Sequence, residues 1–231
     1  SQGQRGVLEL LNVENPDLVK AVHASYLDAG ADIITTNTTC ADALSLKAVG
    51  AESRSYELAL AGAKLAREVA DKYSTTLFPR YVAGSVGPTS RNLTLANDTT
   101  PEQVAAAYQE VIRGLIDGGV DMILVETAMD AKNVTIAIEE CRKVDENIPI
   151  LVSAVLSRIE GRVASGATFA KFFGDIPMER VSMVGFNCSN GVKPLESALK
   201  HLKEVTDKPV IVYPSAGEPR VAANHFAKAI E

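Results

Sequence analysis

The sequence predicts an α/β protein that folds as one (β/α)8 barrel, the TIM barrel, across residues 1–231. Three observations support this prediction. Short runs rich in Val and Ile alternate with longer amphipathic segments of helical period. The apolar runs are almost continuous, which is typical of strands covered on both faces of a parallel sheet. Gly30 and Gly119 each end a helical segment just before a strand-like run begins.

Five amphipathic helices are predicted, and the third has the clearest start. Thr100 is followed by Pro101 and, three residues after the cap, by Gln103, which is a capping-box pattern. This helix is expected to end at the glycine pair 118–119, and the fourth to cover about residues 132–145. The apolar faces expected to pack on the sheet are Leu18, Val22 and Tyr26 in the first helix, Leu58, Ala61, Leu65, Val69 and Tyr73 in the second, Val104, Tyr108, Val111 and Leu115 in the third, and Leu195, Leu199 and Leu202 in the fifth.

Six strands are predicted, two fewer than a complete barrel needs. Residues 3–6 have the pattern of a loop and residues 221–231 that of a helix, so neither end supplies another strand. We therefore expect the first and last strands to be missing, with a break in the chain near Arg220–Val221. The predicted strands are Ala31–Thr36, Tyr81–Ser85, Asp121–Thr127, Ile150–Val155, Met183–Asn187 and Pro209–Tyr213.

Composition and charge narrow the classes of function. The net charge is −6 with no basic stripe, so neither nucleic acid nor a membrane surface is expected as a partner. No run approaches the roughly 18 apolar residues of a membrane span. The three cysteines are widely spaced, which argues against a disulfide framework and favours a cytoplasmic location. No glycine-rich phosphate loop follows a strand, which weakens the alternative of an open nucleotide-binding sheet.

Polar residues follow the predicted strands, where a barrel places its reactive groups. Glu126 comes directly after a buried apolar run and would be partly desolvated. Such a carboxylate needs a cation, either a substrate ammonium, which we favour, or an internal Lys or Arg. The hydroxyls and amides at the other strand ends either contact substrate or satisfy backbone groups. They belong to Asn37, Ser85, Ser153 and Asn187.

Cys188 is the one cysteine that directly follows a predicted strand. It is either a small buried apolar residue or a metal ligand. Zinc needs three or four ligands, so either zinc is absent or the other ligands lie in missing sequence. The three histidines lie in helices or near the end of the chain, which disfavours a Cys–His nucleophile. No strand ends in Lys, which disfavours a Schiff base.

Six segments, in order along nearly the whole chain, resemble the homocysteine S-methyltransferase family. The similarity is closest to the homocysteine-binding barrel of cobalamin-dependent methionine synthase, and residues 80–89 favour that branch. The segments are Ala29–Thr38, Arg80–Thr89, Leu124–Thr127, Gly161–Gly166, Gly185–Cys188 and Tyr213–Pro219.

The resemblance implies a specific chemistry. In this family a Zn²⁺ held by three cysteines binds the homocysteine sulfur as a thiolate, which then attacks an activated methyl group to give methionine. Cys188 would be the first zinc ligand and the catalytic residue, and Glu126 would accept the homocysteine ammonium. Looser candidates for substrate contacts are Asn37, Ser85, Ser153 and Asn187.

The chain departs from the family pattern in three places. It lacks the family's Asp-Gly first strand, it lacks the closing Gly-Gly-Cys-Cys-Gly strand with two zinc ligands, and it has Thr35 where Glu is usual. The methionine synthase branch implies folate-binding and cobalamin-binding domains as partners, and methylcobalamin and 5-methyltetrahydrofolate as methyl source. The alternatives are a stand-alone thiol methyltransferase that uses S-methylmethionine or betaine, and a catalytically silent amino-acid-binding barrel.

Overall fold

A computed structural model of the protein describes residues 7–94, 98–190 and 192–215. Six parallel strands form one curled sheet, an open half-barrel, and their order in the sheet is their order in the chain. The six predicted strands are confirmed, with ends that shift by three residues or fewer. They are β1 Ile33–Thr35, β2 Tyr81–Val86, β3 Met122–Ala128, β4 Ile150–Val155, β5 Met183–Asn190 and β6 Val210–Ser215.

The five predicted helices are confirmed, and three short ones are added. The added helices have four to six residues, too few for a helical period to be recognised in sequence. Within the described ranges, no helix has the length and apolar character needed to cross a membrane. The helices are α1 Leu11–Glu14, α2 Pro16–Asp28, α3 Ala43–Leu46, α4 Ser55–Tyr73, α5 Pro101–Asp117, α6 Ala131–Val144, α7 Phe169–Gly174 and α8 Val192–Lys203, with 3-10 turns at Leu8–Leu10, Lys47–Val49, Glu52–Arg54 and Met178–Arg180.

Helix α5 begins as its sequence predicts. The Thr100 side chain accepts a hydrogen bond from the Gln103 backbone N–H at 3.4 Å, and the Gln103 side chain accepts one from the Thr100 N–H at 3.0 Å. Both groups satisfy N–H donors that a helix leaves without partners at its first turn. The predicted apolar face is buried throughout, at Val104, Tyr108, Val111 and Leu115.

The two faces of the sheet differ. One face packs against the helices in the main core, which includes Val125, Val152 and Phe186. On the other, concave face, Ala83, Leu124 and Leu151 form a smaller apolar cluster. Side chains alternate between faces along a strand, so the residues two positions further on belong to the concave face as well. At the carboxyl ends of β2, β3 and β4 these are Ser85, Glu126 and Ser153.

One prediction about α2 is wrong. Leu18, Val22 and Tyr26 do not form the packed face, since they are 48%, 49% and 63% exposed. The buried row lies one residue further along the chain, at Val19, His23 and Leu27. Both rows have a spacing of four, and they lie about 100° apart around the helix. The sequence favours the exposed row because the buried row contains a histidine.

His23 should make the stability of the fold depend on pH. It is 6% exposed, and its Nε2 has no hydrogen-bond partner among the side chains and backbone that the structure describes. Burial lowers the His23 pKa below its usual range. The unfolded chain therefore takes up the proton first, so the free energy of unfolding falls as the pH drops below about 6.5, until the folded-state pKa is passed.

Urea unfolding at several pH values tests this expectation. His23→Phe keeps a ring at the position but cannot bind a proton, so this part of the decline should vanish. An equally steep decline in His23→Phe would show that another group causes it.

Two expectations concern residues outside the described ranges. These are the loop at residues 3–6, and the break near Arg220–Val221 with the helix at 221–231. They stay predictions.

Candidate active site at the carboxyl ends of the strands

The polar residues predicted at the strand ends gather at one edge of the sheet. The strands are all parallel, so their carboxyl ends share that edge. Ser85 in β2 and Glu126 in β3 form one hydrogen-bonded group. Ser153 in β4 forms a second group with Asn187 and Cys188 in β5.

Glu126 is held by hydroxyls on one oxygen only. Ser85 Oγ donates to Glu126 Oε1, and Thr39 Oγ1 lies 3.3 Å from the same oxygen. The other oxygen, Oε2, accepts no hydrogen bond from a described residue. No Lys or Arg side chain that the structure describes lies within 4 Å of this carboxylate, so the ion pair with an internal cation is not found there. Glu126 is half-buried, so its second oxygen is open to water or to a cationic partner.

Desolvation and nearby carboxylates raise the pKa of two groups around Glu126. Cys40 has an exposed side chain, but partial enclosure of its thiol, and then the carboxylates of Glu9, Asp42 and Glu126, raise its pKa to about 11. Burial and the Glu126 charge also raise the pKa of Tyr213 to about 12. Glu9 accepts a hydrogen bond from the Cys40 N–H at 2.7 Å. No described Lys or Arg forms an ion pair with any of the three carboxylates, so this region favours a positively charged group.

The Cys40 thiol should consequently react slowly. With a pKa of about 11, roughly a thousandth of it is thiolate at pH 8, and the thiolate is the reactive form. Alkylation by iodoacetamide can be followed in Cys188→Ser, because Cys141 is fully buried. The rate should keep rising well above the ordinary thiol pKa of about 8.5. A plateau near that value would show that burial and the carboxylates do not act on Cys40.

Asn187 connects the second group. Its Oδ1 accepts hydrogen bonds from Ser153 Oγ at 3.0 Å and from the Thr127 N–H at 3.2 Å. Its Nδ2 donates to Thr127 Oγ1 at 2.9 Å and to Cys188 Sγ at 3.2 Å. An amide has two hydrogens and two acceptor lone pairs, so the Asn187 side chain is fully used. It ties the ends of β3, β4 and β5 together, next to Glu126 on one side and at Cys188 on the other.

Two residues joined by Asn187 have unusual backbone angles. Thr127 has φ = 57° and Cys188 has φ = 55°, the left-handed region that non-glycine residues seldom adopt. Each lies at a register shift, between Val125 and Ala128 in β3 and between Asn187 and Ser189 in β5. Such irregularities re-aim side chains at strand ends. Conformations of this kind cost about 1–3 kcal/mol each and concentrate at functional sites.

Asn37 lies apart from both groups. Its Nδ2 donates to the Leu8 carbonyl at 2.8 Å and to Asn12 Oδ1 at 3.0 Å, and Asn12 Nδ2 donates back to the Asn37 carbonyl at 2.8 Å. The amide thus attaches the first helical segment to the end of β1. Substrate contact by Asn37, and equally by Ser85, Ser153 and Asn187, stays a prediction.

The sequence patterns do not identify Thr39 as a candidate site residue. It lies four residues beyond β1, outside the strand-end positions chosen as candidates. A signal was present, because Thr35–Thr39 contains four threonines and faces a serine at the end of the next strand.

Cys188 has an exposed side chain at this edge. Across residues 7–94, 98–190 and 192–215, no group of three or more His, Cys, Asp and Glu residues is placed to hold a metal ion. A tetrahedral zinc site needs three or four ligands. The described residues therefore do not make a zinc site by themselves.

Comparison with known proteins agrees with the fold. A model of the family described as homocysteine S-methyltransferase matches residues 4–230. Three solved structures of the homocysteine methyltransferase MmuM from Escherichia coli are similar. The oxidized form has a TM-score of 0.80 at 25% identity, covering 98% of this chain and 81% of MmuM. The metallated form has a TM-score of 0.78 at 25% identity, covering 98% and 82%.

The apo form of MmuM has a TM-score of 0.72 at 24% identity, with 96% of this chain and 80% of MmuM covered. The fold agrees with an incomplete TIM barrel, as the sequence predicts. The family model spans nearly all of the sequence, and the chain belongs to the homocysteine S-methyltransferase family.

Proposed function

We propose that this chain binds homocysteine for methyl transfer, with the ammonium group on Glu126 and the sulfur directed towards Cys188. The supporting observation is the unequal hydrogen bonding of the two carboxylate oxygens of Glu126. One of its oxygens is held by hydroxyls, the other has no described partner, and no described Lys or Arg is near. A half-buried carboxylate with a free oxygen is well suited to bind a cation. Homocysteine carries an ammonium and a thiol, which match Glu126 and Cys188.

We further propose that Cys188 is one ligand of a zinc ion, with the remaining ligands outside the described residues. The exposed thiol at a strand end and the metallated form of the related MmuM support this proposal. When bound, zinc would keep the homocysteine sulfur as a thiolate near neutral pH. The left-handed backbone of Cys188 and the hydrogen bond from Asn187 fix where its sulfur lies.

Glu126 and Asn187 would bind and orient the substrate. Glu126 would hold the amino group, so that the sulfur of the amino acid reaches the mouth of the half-barrel in a constant direction. Asn187 connects Thr127, the neighbour of Glu126, to Cys188. These hydrogen bonds would keep the ammonium-binding residue and the sulfur-facing residue at a constant separation. A constant separation and direction lowers the entropic cost of the displacement at the methyl carbon.

For the methyl source we propose methylcobalamin, charged from 5-methyltetrahydrofolate on cobalamin-binding and folate-binding partner domains. The resemblance of residues 80–89 to the methionine synthase branch supports it. A second candidate is a stand-alone methyltransferase with a small donor. The observation that favours it is the similarity to MmuM, itself named a homocysteine methyltransferase, of which this chain covers 81%.

Calorimetric titration of the complete gene product tests the substrate. Homocysteine should bind, whereas 2-oxo-4-mercaptobutanoate, which lacks the ammonium, should bind far more weakly. Methyl transfer is then assayed with methylcobalamin, S-methylmethionine and betaine in parallel. Turnover with methylcobalamin alone supports the leading proposal, and turnover with a small donor supports the second. Homocysteine binding without any turnover would favour a silent barrel.

A further inference from the structure

We propose that Thr39 and Ser85 are positioning residues, which orient the Glu126 carboxylate so that its Oε2 faces the substrate ammonium. The inference rests on the proposed function, because it assigns roles within the same site. It concerns two hydroxyls that act through Glu126.

The direction of the hydrogen bonds follows from counting hydrogens. Ser85 Oγ donates its single hydrogen to Glu126 Oε1. The 2.8 Å contact between Thr39 Oγ1 and Ser85 Oγ must therefore be donated by Thr39. Since Thr39 Oγ1 also lies 3.3 Å from Glu126 Oε1, its hydrogen lies between the two acceptors. Ser85 thus donates to Oε1 directly, and Thr39 donates mainly to Ser85 Oγ with a longer contact to Oε1, which polarises the Ser85 hydroxyl.

The backbone of Ser85 is fixed by a second hydroxyl pair. The Ser85 N–H donates to Thr36 Oγ1 at 2.9 Å, and Thr38 Oγ1 donates to the Ser85 carbonyl at 2.7 Å. Thr38 has used its hydrogen, so the 2.6 Å contact between Thr36 Oγ1 and Thr38 Oγ1 is donated by Thr36. The result is a closed ring of hydrogen bonds through both backbone groups of Ser85. All three side chains are buried, at 3% exposure or less.

Thr39 is fixed by close backbone packing. The Gly87 N–H donates to the Thr39 carbonyl at 3.0 Å. A Cβ on residue 87 would lie 2.4 Å from that carbonyl oxygen, so this approach requires glycine. Thr39 and Ser85 are therefore both anchored independently of Glu126, as expected of residues that orient a third group.

The test measures homocysteine affinity and steady-state kinetics in the complete enzyme. Ser85→Ala and Thr39→Val each remove a hydroxyl, whereas Thr39→Ser retains one. Ser55→Ala is the matched control, because Ser55 is 2% exposed and its hydroxyl has no hydrogen-bond partner among the described groups. Both hydroxyl deletions are expected to weaken binding about tenfold, the lower range for a lost hydrogen bond to a charged group.

Two further measurements separate a positioning role from a general loss of structure in the variants. The deletions should raise KM and leave kcat nearly unchanged, because they weaken a contact present throughout the reaction. In a Glu126→Gln background, Ser85→Ala should have little additional effect, because its effect passes through the carboxylate. Ser55→Ala should bind homocysteine as wild type does, and Thr39→Ser should recover most of the affinity that Thr39→Val loses.

The outcomes are distinguishable. If Glu126→Gln weakens binding while Ser85→Ala and Thr39→Val do not, the positioning roles are wrong and the proposed function stands. Full additivity of Ser85→Ala with Glu126→Gln would also overturn the inference. A wild-type enzyme that does not bind homocysteine would refute the proposed function and the inference together.

Discussion

Replacement of Cys188 by alanine is expected to abolish zinc binding and methyl transfer together in the complete protein. The zinc content should fall from about one ion per protein towards zero, because a tetrahedral site that loses one of three protein thiols holds its metal poorly. The fold should persist, since Cys188 has an exposed side chain. Metal content by mass spectrometry and turnover with each donor measure the two effects.

Cys141→Ala is the matched control for this prediction. Cys141 is fully buried in α6, inside the main core. Its replacement should leave the zinc content unchanged, whatever small change in stability it causes. Full zinc occupancy in Cys188→Ala would remove Cys188 from the set of ligands.

Glu126→Gln should have the second largest effect. It keeps the shape of the side chain and removes the charge, so homocysteine affinity should fall by about 1.5–3 kcal/mol, or roughly 10-fold to 150-fold. The melting temperature should change little, because no described Lys or Arg within 4 Å loses an ion pair. Calorimetric titration and thermal unfolding measure the two quantities.

A suitable control is Glu139→Gln, an exposed charge change on α6. It should leave homocysteine binding as in the wild type. If Glu126→Gln lowers the melting temperature and leaves the affinity unchanged, then Glu126 has a structural role and does not receive the ammonium.

Local signals in the sequence were sufficient for the strands and the long helices. The capping box at Thr100 satisfies its own N–H groups, so its role does not depend on distant contacts. The packed row of α2 was not predictable in this way, because two rows with the same period compete. The packing of α4 against α2 decides between them, and that contact joins residues far apart in sequence.

In the candidate site, too, some residues are recognisable from local sequence and others only from tertiary contacts. Glu126 and Cys188 were recognisable because each directly follows the apolar run of its strand. The roles of Thr39 and Asn187 depend on which atoms face each other across neighbouring strands. That depends on strand register and on the irregularities at Thr127 and Cys188, which no local pattern encodes.

The agreement of strand order and chain order has a consequence for synthesis on the ribosome. Each strand pairs with the one made just before it, so the sheet can grow one strand at a time as the chain emerges. Thr39, Ser85 and Glu126 belong to the first three strands and their loops, whereas Asn187 and Cys188 come from the fifth. The hydroxyl groups that hold Glu126 are thus translated before the cysteine side of the site.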